Sequence, residues 1–545
     1  MRCADLTTLW RALRLFGGAV AVPGGDTARQ DALDCASVKV FLALMAKQSS
    51  TLAALPRAEV CAYWVLSFGS HLYSFYQLHI FSKEHEAGLE RQFQLEKGFL
   101  IWGHKKDPTD FEWSFWSHWA RKSLLWTLLG HAVVSRLASF FIPKFRVTAQ
   151  LAYGLLVACC AVGIKGLGVV LGHLGLSLAV AQLCNPALSW SCALLLLSTL
   201  HIPPLQEIQR SWYQTEEEYY LLLFSVAVCG LRFISFSLEH CWRPLEAGGL
   251  QQQVYWLTAY SFYHPLFFNG PILTFKDFLQ QMQVPVKDRG ARITFLSLLA
   301  NTGRICVWWL IAEYMIHLMY MHTIQANETY LEILPPWALG GLALALVQFF
   351  YVKYLVLFGV PSLLAGLDGL APPKLPRCVS IMHSFTGMWR HFDVGLYHWL
   401  IRYIYIPLGG SHHGLLWKML STALAFGFVC FWHGGHDYLQ YWALMNWVGV
   451  LVENGVTILI SSPLVYPSIE RCISPAMRRR CLALISAFST AMLILSNLIF
   501  LGGNHVGRIM WKRVFIQGWC TVAPPMLAFL YCFAQIGLEW EHNPP

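Results

Sequence analysis

Charge is what this chain has least of. Asp, Glu, Lys and Arg make up 13% of its 545 residues, about half the roughly 25% of an ordinary soluble domain. So few charges cannot clothe a soluble protein of this length, and they exclude a disordered chain as well. Also missing are a Cys-x-x-Cys pair, any regular cysteine spacing, an internal repeat and a Gly-x-Ser-x-Gly elbow. The first two absences exclude a zinc ribbon or a disulfide framework. The third disfavours an inverted-repeat transporter, and the fourth a serine-elbow hydrolase. The 16 cysteines lie mostly inside apolar runs, as in Ala158-Cys159-Cys160-Ala161. There a thiol is a small hydrophobe, so reduced, buried cysteines are expected.

Apolar residues are abundant instead: 56% of the chain, 14% of it aromatic, with a mean hydropathy of +0.47. This is the composition of one large membrane body. The net charge of +9 then reads as a topology signal, because Lys and Arg gather in cytoplasmic loops. It does not mark a nucleic-acid partner. Basic loops of that kind stand at Lys374–Arg377 and Arg471–Arg480.

A helix crosses the bilayer core with ~20 apolar residues. Stretches that qualify lie near 58–80, 122–142, 147–164, 166–184, 187–203, 219–237, 304–322, 336–360, 415–433, 440–461, 481–502 and 520–540. The expectation is an all-α polytopic membrane protein of about a dozen transmembrane helices. Two more apolar stretches, 251–273 and 392–408, are broken by Pro, Gly, His or Arg. They read as re-entrant segments, which persist only inside protein or against a cavity. Residues 1–57 carry glycine pairs, charges and no spanning run, and read as a disordered extension ahead of a membrane domain at 58–545. Between the first two spans, Ser82–Asp107 reads as a polar interfacial helix. Thr109 and Glu112 fit a capping box for the next helix, and Trp113, Phe115, Trp116 and Trp119 an aromatic belt. Lys165 and Lys353 stand inside apolar runs without pattern.

Polar residues at membrane depth are expensive, so clusters of them are candidate sites. Tyr263–Phe275 is one, although its prolines and Gly270 also fit a simple kink. Trp389-Arg390-His391-Phe392-Asp393 is the second, where Arg390 and Asp393 can equally be an ion pair at a helix entrance. The third is Trp432-His433-Gly434-Gly435-His436, at the end of an apolar run. A histidine there needs a partner or a wet cavity, and it titrates near neutrality. The two glycines and the missing carboxylates speak against a metal pair.

Asp393 precedes His433 by 40 positions. Together with Thr386–Asp393, His433–Tyr438, Glu112–Trp116, Met319–His322, Tyr351–Gly359 and Ser496–Asn504, this pattern resembles the membrane-bound O-acyltransferase superfamily, and within it the Hedgehog acyltransferase branch. The likeness covers about residues 58–540. It implies the fold of that superfamily and N-palmitoylation of the N-terminal cysteine of a Hedgehog-class secreted signalling protein. Palmitoyl-CoA is the implied co-substrate, and the endoplasmic reticulum membrane, with the Golgi as a further station, the implied location among membrane lipids. The family's catalytic histidine falls on His433 and its motif aspartate on Asp393. Its haem-ligating cysteine falls on Cys378, which implies haem b with Cys378 as axial ligand to the iron. A close non-catalytic relative lacks the histidine, so its presence here favours an enzyme over a membrane scaffold or regulator.

The transfer asks for a base for the amine, a donor for the thioester oxyanion, positive charge for CoA phosphates and an apolar slot for the acyl tail. His433 suits the base or, protonated, the oxyanion donor. Asp393 suits the acceptor's ammonium or another polar group. Asn497, alone in an apolar helix, suits the carbonyl or a helix–helix hydrogen bond. Trp389 and Arg390 are expected to line or gate the slot. Without a second nucleophile, direct transfer is expected over an acyl-enzyme.

Overall fold

The structure is a computed structural model that describes residues 53–542, apart from 94, 102, 244–248, 285–294 and 411–413. The expected disordered extension, 1–57, lies almost wholly outside the described residues. Helix is the dominant element, because lipid leaves backbone polar groups no other way to be satisfied. The principal helices are α1 (Arg57–Glu84), α2 (Phe111–Phe141), α3 (Arg146–Ala181), α4 (Pro186–Ser198), α5 (Glu216–Trp242), α6 (Gly249–Ser261) and α7 (Phe295–Leu318). They continue as α8 (Pro336–Leu367), α9 (Phe385–His391), α10 (Val394–Leu400), α11 (Leu415–Trp432), α12 (Asp437–Ile460), α13 (Pro475–Trp511) and α14 (Ala523–His542).

Among the described residues seven helices are long and apolar enough to cross a membrane, or eight if the pair 186–201 and 203–210, bent by 65°, is one span. The dozen apolar stretches outnumber these helices for two reasons. The stretches 147–164 and 166–184 belong to one 36-residue helix, α3, broken only where Gly163 takes φ +70°. The stretches 58–80, 304–322 and 520–540 do fold as the long helices α1, α7 and α14. Each, however, carries too much polarity to qualify: Ser67, Ser74 and Ser82 on α1, Glu313 and His317 on α7, Gln535 and Glu539 on α14. Helices α1 and α7 pack on α8, while α14 packs on α1 and α13.

Four local expectations are corrected. Ser82–Asp107 is not one helix but a short helix, Glu86–Phe93, followed by an antiparallel pairing of Glu96–Lys97 with Lys105–Lys106. The N-cap of α2 is Asp110, whose carboxylate accepts the Trp113 N–H at 2.6 Å. The expected Thr109/Glu112 box is displaced because Thr109 bonds Thr323 and Glu112 reaches elsewhere. Trp113, Phe115 and Trp116 are buried core, not an interfacial belt. Every described cysteine is a free thiol, but only Cys229, Cys430 and Cys532 are buried. The rest are half-buried or exposed.

Both broken segments lie inside protein. After α6 the chain turns through His264–Leu266 and a loop to Thr274, with residues 262–268 fully buried. Arg232 of α5 supplies the donors that this irregular backbone lacks. Its Nη1 bonds the carbonyls of Tyr260 at 3.1 Å and Ser261 at 2.6 Å, and its Nη2 the carbonyl of Leu266. The stretch 392–408 holds α10 and a π-helical turn, Ile401–Tyr405, pinned to α5 by Glu239, which pairs with Arg402 and accepts from Tyr403 at 2.9 Å. Two apolar clusters meet beside it. One gathers α1, α7, α8 and α13 and takes in Phe392; the other gathers α4, α5, α10, α11 and α12 and takes in Trp389, Trp432 and Phe500.

Candidate functional site

His433 and Asp393 stand on opposite sides of that seam. Helix α11 ends because Gly434 and Gly435 take φ +115° and +66°, and the Gly435 N–H reaches back to the Cys430 carbonyl at 2.9 Å. A residue with a Cβ disfavours both conformations, so the glycine pair stops the helix one residue past Trp432. His433 caps it, and its imidazole projects into open space between Trp432 and Phe500, with ring centroids at 4.7 and 5.5 Å. The ring is accessible although aromatic side chains flank it, as a reacting group must be.

Asp393 is the N-cap of α10; its carboxylate accepts the Leu396 N–H at 2.9 Å. This corrects the ion-pair alternative: the carboxylate is committed to the helix, not to Arg390. Burial pushes the Asp393 carboxyl up to about 6, opposed by the bonds from the Leu396 and Gly395 amides. It therefore remains ionised at neutral pH without a salt bridge.

Aromatic rings connect the two residues. Phe392, next to Asp393, lies flat on Phe350 of α8, with centroids 5.1 Å apart and planes at 3°. Phe350 meets Phe500 of α13 at 5.9 Å, and Phe500 meets His433. Trp389 joins from α9. Its ring packs edge-on against Phe426 at 4.6 Å and beside Trp442 at 5.7 Å, and its Nε1 donates to Asn446 at 2.9 Å. Trp442 closes the path by contacting Phe500 at 4.9 Å. His433, Asp393 and Trp389 are thus assembled around one aromatic wall.

Arg390 faces away from Asp393. It lies within electrostatic range of Lys418, near the start of α11, and, with Arg377, of His391. Asn497 is not brought to His433. Its amide donates back to the Leu493 carbonyl at 3.0 Å. It lines a cavity of about 50 Å³ with Met388, Ser380 and Gln348, whose lining includes neither His433 nor Asp393. Cys378 is half-buried on the loop between α8 and α9, its thiol hydrogen-bonded to Tyr351. A thiolate is a recognised axial ligand of haem, and Cys378 is the residue that would supply it. Among the described residues no group of three His, Cys, Asp or Glu could hold a bare metal ion.

One part of the site was missed in the sequence. Lys353, apparently patternless, is buried in α8 and paired with Asp110 at 3.0 Å and Glu112 at 3.0 Å. Tyr354, the next residue, donates to Glu112 at 3.1 Å. The signal was present: a lone cation in an apolar run requires a countercharge.

The model of the family described as MBOAT, membrane-bound O-acyltransferase family, matches residues 179–496, a stretch that holds Asp393 and His433. The Mus musculus protein named protein-cysteine N-palmitoyltransferase HHAT is 49% identical over 495 residues, 90% of this chain and 99% of that protein. The Mus musculus protein-cysteine N-palmitoyltransferase HHAT-like protein is 30% identical over 90% of this chain and 96% of its own. The Drosophila melanogaster protein-cysteine N-palmitoyltransferase Rasp is 27% identical over 58% of this chain and 62% of its own.

Proposed function

This chain belongs to the membrane-bound O-acyltransferase family, and from that premise we propose that it is a protein-cysteine N-palmitoyltransferase. It moves palmitoyl from palmitoyl-CoA to the N-terminal cysteine amine of a Hedgehog-class secreted signalling protein. The observation that carries this reading is the 49% identity spanning nearly the whole of the mouse enzyme.

In the proposed reaction Asp393 holds the acceptor's ammonium, which releases one proton to solvent before attack. The amine lone pair forms the N–C bond to the thioester carbonyl as the C–S bond breaks. His433 takes a second proton from the nitrogen and delivers it to the CoA sulfur, leaving an amide and free CoA thiol. A positioned base of this kind contributes roughly 10²–10⁴-fold. The cations Arg377, Arg390 and Lys418 are suited to CoA phosphates, and the apolar faces of Trp389, Phe426 and Trp442 to the acyl chain. The substrate's palmitate and the surrounding lipid share one solvent, which suits an endoplasmic reticulum or Golgi membrane. Haem b, held by the Cys378 thiolate, would supply a structural iron–sulfur link to the loop between α8 and α9; no step of the transfer runs through it.

The test is direct. Detergent-purified protein is given palmitoyl-CoA and a peptide with N-terminal cysteine, and the amide product is followed by mass spectrometry. Amide formation is expected; binding of both substrates without turnover would instead favour a scaffold.

A further inference from the structure

Helix α8 sets Tyr354 between the charged network at the start of α2 and the Asp393 end of the site. The hydroxyl donates to Glu112, 3.1 Å from Oε1 and 3.4 Å from Oε2. Glu112 Oε2 in turn stands 3.0 Å from Lys353 Nζ, which is buried and also bonds both oxygens of Asp110, at 3.1 and 3.0 Å. A carboxylate beside a buried ammonium is ionised, and an ionised carboxylate only accepts. The Tyr354 proton is therefore directed at Glu112.

This orientation decides what Tyr354 offers the site. A phenol has one proton and two lone pairs. With the proton spent on Glu112, the oxygen presents lone pairs alone. The ring contacts Phe392, the neighbour of Asp393, at 5.9 Å, and Phe350, one turn earlier on α8, at 4.9 Å. The Asp393 carboxylate lies within electrostatic reach of the hydroxyl. An acceptor oxygen and a carboxylate thus flank the same end of the aromatic wall.

We propose that Tyr354 is an acceptor-binding residue that selects a primary amine: its oxygen accepts the one N–H that remains in the amide product. The inference rests on the acyl-transfer reading. A primary ammonium carries three N–H bonds. One proton is released to solvent from the Asp393 side before attack, the second passes through His433 to the CoA sulfur, and the third stays on nitrogen, where Tyr354 holds it throughout. Glu112 and Lys353 are positioning residues that keep the phenol proton turned away. A secondary amine yields a tertiary amide with no N–H and leaves the Tyr354 oxygen unpaired.

The experiment is a cycle between enzyme and substrate. Wild type and Tyr354→Phe, which keeps the ring packing, are each assayed for kcat/KM with a cysteine-terminal peptide and its N-methyl-cysteine counterpart. One hydrogen bond to a charged or reacting nitrogen corresponds to roughly tenfold. The Tyr354→Phe enzyme should lose about tenfold with the primary amine, and its penalty for N-methylation should be about tenfold smaller than that of wild type. An equal N-methyl penalty in both enzymes overturns the inference. If Tyr354→Phe does not fold, Glu112→Gln takes its place: the amide donates to the phenol oxygen, turns the phenol proton toward the site and should shrink the N-methyl penalty likewise, an unchanged penalty again overturning the inference. Wild type that fails to acylate even the primary amine refutes the transferase reading itself, a result distinct from a cycle that is simply additive.

Discussion

Phe500 meets His433 edge to face, ring centroids 5.5 Å apart and planes at 84°. The same ring touches Phe350 and Trp442. One side chain of α13 thus fixes the distance between the helix that ends at His433 and the helix that carries the wall beneath Asp393. Catalysis by positioned groups depends on such fixed separations, since a misplacement of about 1 Å can cost 10²-fold.

His433→Ala is expected to lose about 10²–10⁴-fold in turnover while inserting and folding. The imidazole projects into open space and makes ring contacts only, so its loss leaves no buried partner stranded. Turnover of the purified variant, with its elution profile in detergent, checks both halves. Near-normal turnover removes His433 from the chemistry.

Asp393→Asn should lose activity without losing stability at neutral pH, because asparagine also caps a helix. The sign follows from the carboxyl raised to about 6. Its ionised form is disfavoured by the fold, so stability is full below the ordinary carboxylate range and falls as pH rises to about 6. The asparagine variant escapes that loss, and its thermal midpoint should gain on wild type between about pH 4 and 6. Wild-type activity should decline as pH falls through about 6, a limb absent from the variant. Thermal melts and rates across this range decide the matter; a variant less stable at every pH would make Asp393 structural.

Arg232→Met should destabilise by about 3 kcal/mol or more. It strands the carbonyls of Tyr260, Ser261 and Leu266 in a buried segment, and each unsatisfied buried acceptor costs roughly 1–3 kcal/mol. Equilibrium unfolding in detergent measures it. A shift below about 0.5 kcal/mol, the scale of an ordinary surface substitution, would show that this backbone has other partners.

A peptide with N-terminal Ala or Ser should be acylated, more slowly than one with Cys, while a peptide with a blocked amine and intact thiol should not. In the proposed reaction His433 and Asp393 serve the amine, and no second nucleophile is required. Mass spectrometry of the products distinguishes the routes. A stable thioester on the blocked peptide would mean that the thiol reacts first and that direct attack by the amine is wrong.

Two things were decided by sequence alone. Apolar abundance with little charge leaves a chain of this length no solvent but lipid, and lipid forces helix, so the all-helical membrane class follows from composition. His433 and Asp393 stand out as candidates because polar residues are costly at depth, and the Gly434-Gly435 pair marks where a helix must stop. The helix start at Arg57, one residue from the expected position, shows the same local legibility.

The tertiary structure decided the rest, because it depends on which distant residues meet. Lys353 finds its countercharge at Asp110, 243 positions away, and that pairing draws Glu112 out of the expected capping box. Polar faces of α1, α7 and α14 are tolerated because they turn toward neighbouring helices, which no window average detects. Asn497 and Phe500 lie three residues apart on one helix, yet one lines a small cavity and the other supports His433. Periodicity places residues on a face, but only the packing of other helices determines what that face meets.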